Sequence, residues 1–279
     1  MSIKTTLITG ATSGIGKETA LALAKKDHAL YLLVRNTVKG EQLKDEIIGQ
    51  TGNRSVYVIP CDLSELESVR TAVSSIVKKL TAINVLINNA GGIFDQHQKT
   101  SEGFEKTFAT NHLGHFLLTM SLMPLLVNGQ ARIINVSSAA HRLAKPEWLN
   151  DAQFEHKEYS EIRAYALSKL FNIYFTKSLV DKYGAQGITS YVLHPGVVYT
   201  NFGEGLSGFS ELIKWLSRPF MISPAKGAET SIYLASQQGI EQFTGQYFIK
   251  SKPATMSSAA KDIEARERLW DMSKRLTGI

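Results

Sequence analysis

The chain has 279 residues, 43% of them hydrophobic and 20% charged, which is too apolar for a disordered chain and enough for one large or two small cores. Its 31 Lys and Arg against 25 Asp and Glu give a formal charge of +6, which suits an anionic small molecule. The basic residues are scattered without an arginine-rich arm, so nucleic acid is not an expected partner, and the single Cys61 excludes an internal disulfide and a cysteine-built zinc site.

No secretory pattern precedes the first strand-like run, and the apolar runs at 28–34 and 86–94 are too short to cross a bilayer. A soluble, cytoplasmic protein with a free, buried thiol at Cys61 and no membrane anchor is expected. From residue 5 onward, short apolar runs rich in branched residues alternate with longer segments of helical periodicity. Strands are predicted at 5–9, 29–34, 55–60, 83–88, 131–137 and 188–194, and helices at 15–26, 37–49, 64–80, 101–126 and 160–183. Strands apolar on both faces, alternating with helices, predict a parallel sheet with right-handed crossovers. No linker or repeat divides the chain, so residues 1–279 are expected to form one doubly wound domain. Residues 200–222 are punctuated by glycine and then amphipathic, with Leu212, Trp215 and Leu216 at i, i+3, i+4. That segment reads as a substrate lid, with a packing helix or a membrane-touching patch as alternatives. Ser223 and Pro224 are the N-cap and first residue of a further helix, 246–250 reads as one more strand, and a charged helix spans 259–276.

Between the first strand and the first helix stands Gly10-x-x-x-Gly14-x-Gly16. Glycines there allow a sharp turn and a close approach to a diphosphate, whose charge is favoured by the free N–H groups at a helix start. Gly10, Thr12, Ser13, Gly14, Ile15 and Gly16 are therefore the candidate phosphate cradle of a dinucleotide. An acidic residue about 20 positions further on would hold the adenosine ribose of NAD. Here the second strand ends in Arg35 and Asn36 instead. Arginine can form two-pronged, charge-assisted hydrogen bonds to a 2'-phosphate, so NADP(H) is expected, with Lys17 and Lys39 assisting. Asp62, flanked by Cys61 and Leu63 after the third strand, is placed to reach the adenine edge.

Seven motifs in order give the chain a family resemblance: TGATSGIG at 9–16, CDL at 61–63, NNAG at 88–91, NHLGHF at 111–116, NVSS at 135–138, YALSK at 165–169 and HPGVV at 194–198. The chain resembles the short-chain dehydrogenase/reductases over its whole length, and within them the retinol-dehydrogenase-like branch. The resemblance implies a Rossmann fold with a seven-stranded parallel sheet and helices on both faces. It also implies a catalytic tetrad of Asn111, Ser138, Tyr165 and Lys169. Either serine of the pair Ser137 and Ser138 suits the chemistry, and the family motif assigns the second. Tyr165 and Lys169 are one turn apart on a helix, so the ammonium is expected to draw the phenol below its ordinary pKa of about 10. Tyr165 would then exchange a proton with a carbonyl oxygen as hydride passes to or from the dinucleotide, steadied by Ser138. Lys169 would also hold the nicotinamide ribose, and Asn111 would anchor a water leading to solvent. Asn89, Ala90 and Gly91 are expected beside the cofactor, with Asn88, Ala90 and Gly91 either shaping that loop or bracing the sheet. Pro195, Gly196, Val198 and Thr200 resemble the segment that meets the nicotinamide carboxamide.

Rival readings are weaker. His112 and His115 have no carboxylate pattern for a metal site and are expected to pack. GLSGF at 205–209 is not a nucleophile elbow, because Phe209 stands where a glycine is required. An NADP-binding redox sensor on the same fold is the non-enzyme alternative, and a protochlorophyllide-reductase-like enzyme is the second enzymatic one. The substrate is expected to be a lipophilic aldehyde or ketone, or the matching alcohol, bound against 139–164 and the segment after Thr200. Relatives often pair through the helix carrying Tyr165, so a homodimer or homotetramer is expected.

Overall fold

Branched and aromatic runs form the strands in the computed structural model, which describes residues 3–198 and 221–279. The strands are β1 (Thr5–Thr9), β2 (Ala29–Val34), β3 (Val56–Pro60), β4 (Val85–Asn88), β5 (Arg132–Val136), β6 (Thr189–His194), β7 (Tyr247–Ile249) and β8 (Lys252–Ala254). They lie in the order β3-β2-β1-β4-β5-β6-β7-β8, parallel throughout except for the last pair. The parallel seven are those expected; the eighth was not. β8 reads Lys-Pro-Ala, and a proline strand is tolerated only at an edge, where its missing N–H faces no partner.

Two helical layers cover the sheet. On one face, α1 (Gly14–Ala24) and α2 (Thr37–Thr51) join a core that includes Ile8, Leu30, Leu43 and Ile134. On the other lie α3 (Leu66–Val77), α4 (Lys106–Phe108), α5 (Gly114–Ser121), α6 (Met123–Asn128) and α7 (Glu161–Tyr183), around Leu86, Phe116 and Leu170. Further along come α8 (Pro224–Ser236), capped by Ser223 as expected, and α9 (Ile263–Thr277). No described helix is long and apolar enough to cross a membrane.

The single helix expected over 101–126 is broken at both ends. Lys99 and Glu105 instead form an antiparallel bridge around Gly103, whose φ is 87°. The buried Glu105 carboxylate then accepts the N–H groups of Thr107 at 2.8 Å and Phe108 at 2.6 Å and starts α4. Residues Ala109–Leu113 form a π turn, and Pro124 sits in the first turn of α6, where it forces a new helix start.

Helix α7 has no exposed residue between 161 and 180. One side of it is covered by α9: Trp270 packs against Phe175 at 6.2 Å, and Arg266 and Glu267 pair with Asp181 and Lys182 at 2.6 and 2.8 Å.

Candidate active site

Where the strand order reverses between β1 and β4, the loops beyond the carboxyl ends diverge, and ligands bind in such a crevice. A cavity of about 640 Å³ lies there. Its floor is the glycine loop, with Gly10, Thr12, Ser13, Gly14, Ile15 and Gly16 all lining it. A side chain on Gly16 would begin 2.2 Å from the Gly10 carbonyl oxygen, and one on Gly10, at φ 65°, 2.7 Å from Ala90 Cα. Glycine at these two positions therefore lets the loop close on itself and on the segment after β4. Ser13, the N-cap of α1, makes no side-chain cap, so the first N–H groups of the helix keep their capacity for an anion. These residues fit a dinucleotide.

The loop is braced from β4. Asn89 Nδ2 donates to the carbonyls of Thr9 and Gly10 at 2.9 and 3.1 Å, and Thr9 Oγ1 accepts the N–H groups of Asn89 and Ala90, both at 3.0 Å. Asn88 points into the sheet, to Thr119 and Asn135, and is a brace. Thr9 also meets His115 Nε2 at 2.9 Å. His115 and His112 are both buried, and burial lowers their pKa values to about 4 and about 3. Each ring is packed, as expected.

At the adenosine end the wall carries Arg35, Asn36, Lys39, Cys61, Asp62 and Leu63. Arg35 and Lys39 have no carboxylate partner among the described residues. Lys17 departs from expectation: its ammonium pairs with Glu46 at 2.7 Å and does not line the cavity. Asn36 has a second task, since its side chain caps α2 by accepting from Lys39 N at 3.0 Å. Asp62 Oδ1 is likewise held by Ser64 N and Oγ at 2.9 and 2.7 Å. The Cys61 thiol is buried, which pushes its pKa up to about 12.

The opposite end brings together Ser138, Tyr165 and Lys169, with Ala90, Gly91, Pro195, Gly196 and Val198. Thr200, most of the segment 200–222, and the 205–209 motif lie outside the described residues. Ser137 Oγ donates to the Lys169 carbonyl at 2.7 Å, which commits that hydroxyl to the core. Ser138 instead hydrogen-bonds the Tyr165 side chain. Lys169 Nζ lies 5.4 Å from the Tyr165 ring centre and donates to the Val136 carbonyl at 3.2 Å.

Asn111 sits in the π turn beside this wall rather than on it. Its Oδ1 accepts Gly92 N–H at 2.8 Å, and its Nδ2 donates to Gly92 O and Ser168 Oγ at 2.9 and 3.0 Å. A side chain on Gly91 would meet Asn111 Oδ1 and Lys169 Nζ, each at 3.2 Å. Any larger residue would press on both.

The electrostatic expectation for the pair is not met. Lys169 is buried and Tyr165 half-buried at the cavity wall, and desolvation dominates at both: the Tyr165 phenol is pushed up to about 12, with the Ser138 hydrogen bond pulling the other way, and Lys169 is pushed down to about 8. Tyr165 is thus a protonated phenol at neutral pH.

Several lining residues were missed in the sequence: Gly92, Ile93, Phe94, Thr110 and His194 among them. Phe94 follows the NNAG motif, and its loop is tied down by Tyr159, whose hydroxyl donates to the Phe94 carbonyl at 2.8 Å. His194 ends β6 with Nδ1 buried and unpartnered, and burial lowers its pKa to about 4. Ile93 and Phe94 close the apolar run 86–94 and His194 opens the HPGVV motif, so these three could have been flagged.

Taken together, a glycine loop at the switch point of a parallel sheet and a Ser-Tyr-Lys wall facing it define a dinucleotide-binding oxidoreductase fold. The short chain dehydrogenase family model matches residues 4–150. Human Retinol dehydrogenase 12 is 40% identical over 277 residues, covering 99% of this chain and 87% of that protein. Mouse Retinol dehydrogenase 11 is 39% identical over 280 residues, with the same 99% and 87% coverage. An uncharacterised protein from Mycobacterium Paratuberculosis, solved by crystallography, superposes with a TM-score of 0.80 at 32% identity, covering 99% of this chain and 93% of that one. The chain belongs to the short-chain dehydrogenase family, in its retinol-dehydrogenase-like branch, and is an oxidoreductase acting on alcohol and carbonyl groups.

Proposed function

We propose that the chain is an NADP(H)-dependent oxidoreductase that reduces lipophilic aldehydes or ketones, and oxidises the matching alcohols, with Tyr165 as the acid/base. The observation that carries this reading is the sharing of one cavity by Arg35, the glycine loop and the Ser138–Tyr165–Lys169 wall. When bound, the nicotinamide dinucleotide supplies or accepts the hydride. Gly10 through Gly16 and the start of α1 hold its diphosphate, and Arg35 with Lys39 meets the 2'-phosphate. Asn36, Cys61, Asp62 and Leu63 flank the adenosine, and Asn89, Ala90, Gly91, Pro195, Gly196 and Val198 line the way to the nicotinamide. Thr200 remains part of this proposal as a polar contact, and 200–222 as the lid.

At the reacting end Tyr165 donates its phenolic proton to the carbonyl oxygen. The phenol is protonated at neutral pH and so has the proton to give. Ser138 steadies the developing oxyanion. Its Oγ accepts from Ala140 N at 3.2 Å, so the single hydroxyl proton is turned away from that amide and is donated to the substrate oxygen once substrate is bound. Lys169 binds the nicotinamide ribose and supplies positive charge to the wall. Asn111 has both side-chain donors in use, and, as the resemblance implies, it anchors a water that leads from Lys169 to solvent. Ile93 and Phe94 give the substrate end an apolar surface, which supports a lipophilic carbonyl compound. A cytoplasmic location belongs to the same proposal, since a single free thiol suits a reducing compartment.

The test is dark oxidation of NADPH and NADH, in parallel, by a panel of aliphatic and aromatic aldehydes and ketones. The proposal expects NADPH to be consumed faster at equal concentration. NADPH binding without turnover of any carbonyl would favour a redox sensor, and turnover only under light a protochlorophyllide-reductase-like enzyme.

A further inference from the structure

His141 lies three residues beyond Ser138, in the 3-10 turn Ala139–Leu143, and its side chain is fully buried without lining the cavity. Two hydrogen bonds fix its state. Nδ1 is 2.7 Å from the Ser138 carbonyl oxygen, which can only accept, so Nδ1 carries the proton. Nε2 is 3.3 Å from the Ser257 N–H, which can only donate, so Nε2 is the bare acceptor. Burial lowers the pKa of the ring, with the Ser138 bond opposing, which keeps this neutral tautomer. The ring packs edge-on against Tyr247 at 5.0 Å.

Ser138 needs such a hold. The ladder between β5 and β6 ends at Ser137, whose N–H donates to the Leu193 carbonyl at 2.8 Å, so Ser138 is the first residue the sheet does not fix. Its carbonyl accepts from His141 twice, through the backbone N–H at 3.2 Å and through Nδ1. The far side of the imidazole is anchored on the segment before α9, where Arg142 also donates to the Thr255 carbonyl. The serine peptide is thereby clamped to the carboxyl-terminal part of the chain, with Ala140 N–H setting the hydroxyl on its other side.

We propose that His141 is a positioning residue: through Nδ1 it orients Ser138 so that the hydroxyl meets both Tyr165 and the substrate oxygen. This rests on Ser138 being the donor to that oxygen. Removing the Nδ1 bond frees a peptide whose small rotation displaces the hydroxyl, and displacements of that kind cost on the order of tenfold to a hundredfold in rate.

Isosteres separate the two bonds. In His141→Asn the amide nitrogen takes the place of Nδ1 and keeps the Ser138 bond but loses Ser257. In His141→Gln the amide oxygen takes the place of Nε2 and keeps Ser257 but loses Ser138, while His141→Phe keeps the Tyr247 contact and neither bond. Turnover of hexanal or benzaldehyde, whichever the wild-type protein reduces faster with NADPH, is compared with thermal midpoint and with NADPH affinity by fluorescence titration. The expected kcat is within about threefold of wild type for Asn and lower by about tenfold or more for Gln and Phe, with NADPH affinity unchanged in all three. The midpoints run the other way, with Gln above Asn. If kcat instead follows the midpoint, or if Phe turns over at the wild-type rate, His141 is only a packing residue and the proposal is overturned. Ser138→Ala is run alongside: if it is inactive while Gln is fully active, the clamp alone fails. If Ser138→Ala is fully active, the assignment of the serine fails and the clamp with it.

Discussion

Replacing Lys169 by methionine should make the protein more stable while abolishing turnover. The ammonium is buried without a carboxylate partner among the described residues, and burial has moved its pKa from 10.5 to about 8. Between those two values the unfolded chain binds more protons than the folded one, so the wild-type protein gains stability as pH rises through that window. Below pH 8 the folded state carries the whole penalty, about 3 kcal/mol at about 1.4 kcal/mol per unit. Methionine fills a similar volume without a charge. The Val136 carbonyl that Lys169 bonds is not orphaned by the change, because Asn172 Nδ2 also donates to it, at 3.1 Å. The variant should therefore gain about 2–3 kcal/mol at pH 7, a rise in Tm of roughly 5–10 °C for a chain of this size. The advantage should shrink to about 1 kcal/mol by pH 10, where the folded wild-type lysine is neutral and its unfolded counterpart has begun to lose its proton. Urea unfolding of both proteins without cofactor at pH 7 and pH 10 measures this difference directly, and ionisations common to the two cancel. A variant less stable than wild type at pH 7, or a gain that does not decline with pH, would refute the reasoning that burial outweighs local attraction at this site.

The other expectations concern the frame and the cofactor. Asn111→Leu strands the Gly92 N–H and carbonyl in a part-buried loop and should cost at least about 2 kcal/mol in urea unfolding, together with most of the turnover. Gly16→Val puts a side chain 2.2 Å from the Gly10 carbonyl and should abolish NADPH binding in a fluorescence titration while the far-ultraviolet spectrum stays folded. Arg35→Ala should raise the KM for NADPH about tenfold to a hundredfold and leave that for NADH unchanged, the loss of charge-assisted bonds to one phosphate.

Much of this architecture is written in local pattern. Seven strands could be read because each is a run of branched residues bounded by a turn, and Ser223-Pro224 marks a helix start by side-chain chemistry alone. The glycine loop was legible because its meaning depends on backbone, which the residue type states outright. β8 was not, since three residues with a proline carry no strand signal. The break in the 101–126 helix escaped notice because it rests on Gly103, the Glu105 cap and Pro124 acting together. The same holds at the site. The spacing of Tyr165 and Lys169 places them on one turn, but their titration depends on the surrounding burial, and that environment is assembled by β5, the turn after it and the loop after β4. Lys17 looked available for phosphate until α2 brought Glu46 to it, and His141 gave no sign of its link to Ser257, over a hundred positions away, because such a contact exists only once the chain has folded.

The central claim is that the Tyr165 hydroxyl delivers the proton to the substrate oxygen. Single-turnover reduction of the best carbonyl substrate by Tyr165→Phe, with NADPH affinity and Tm measured on the same sample, tests it most directly. The account predicts intact cofactor binding, an unchanged fold and a rate lower by about a hundredfold or more; a variant that reduces the substrate at the wild-type rate would contradict it.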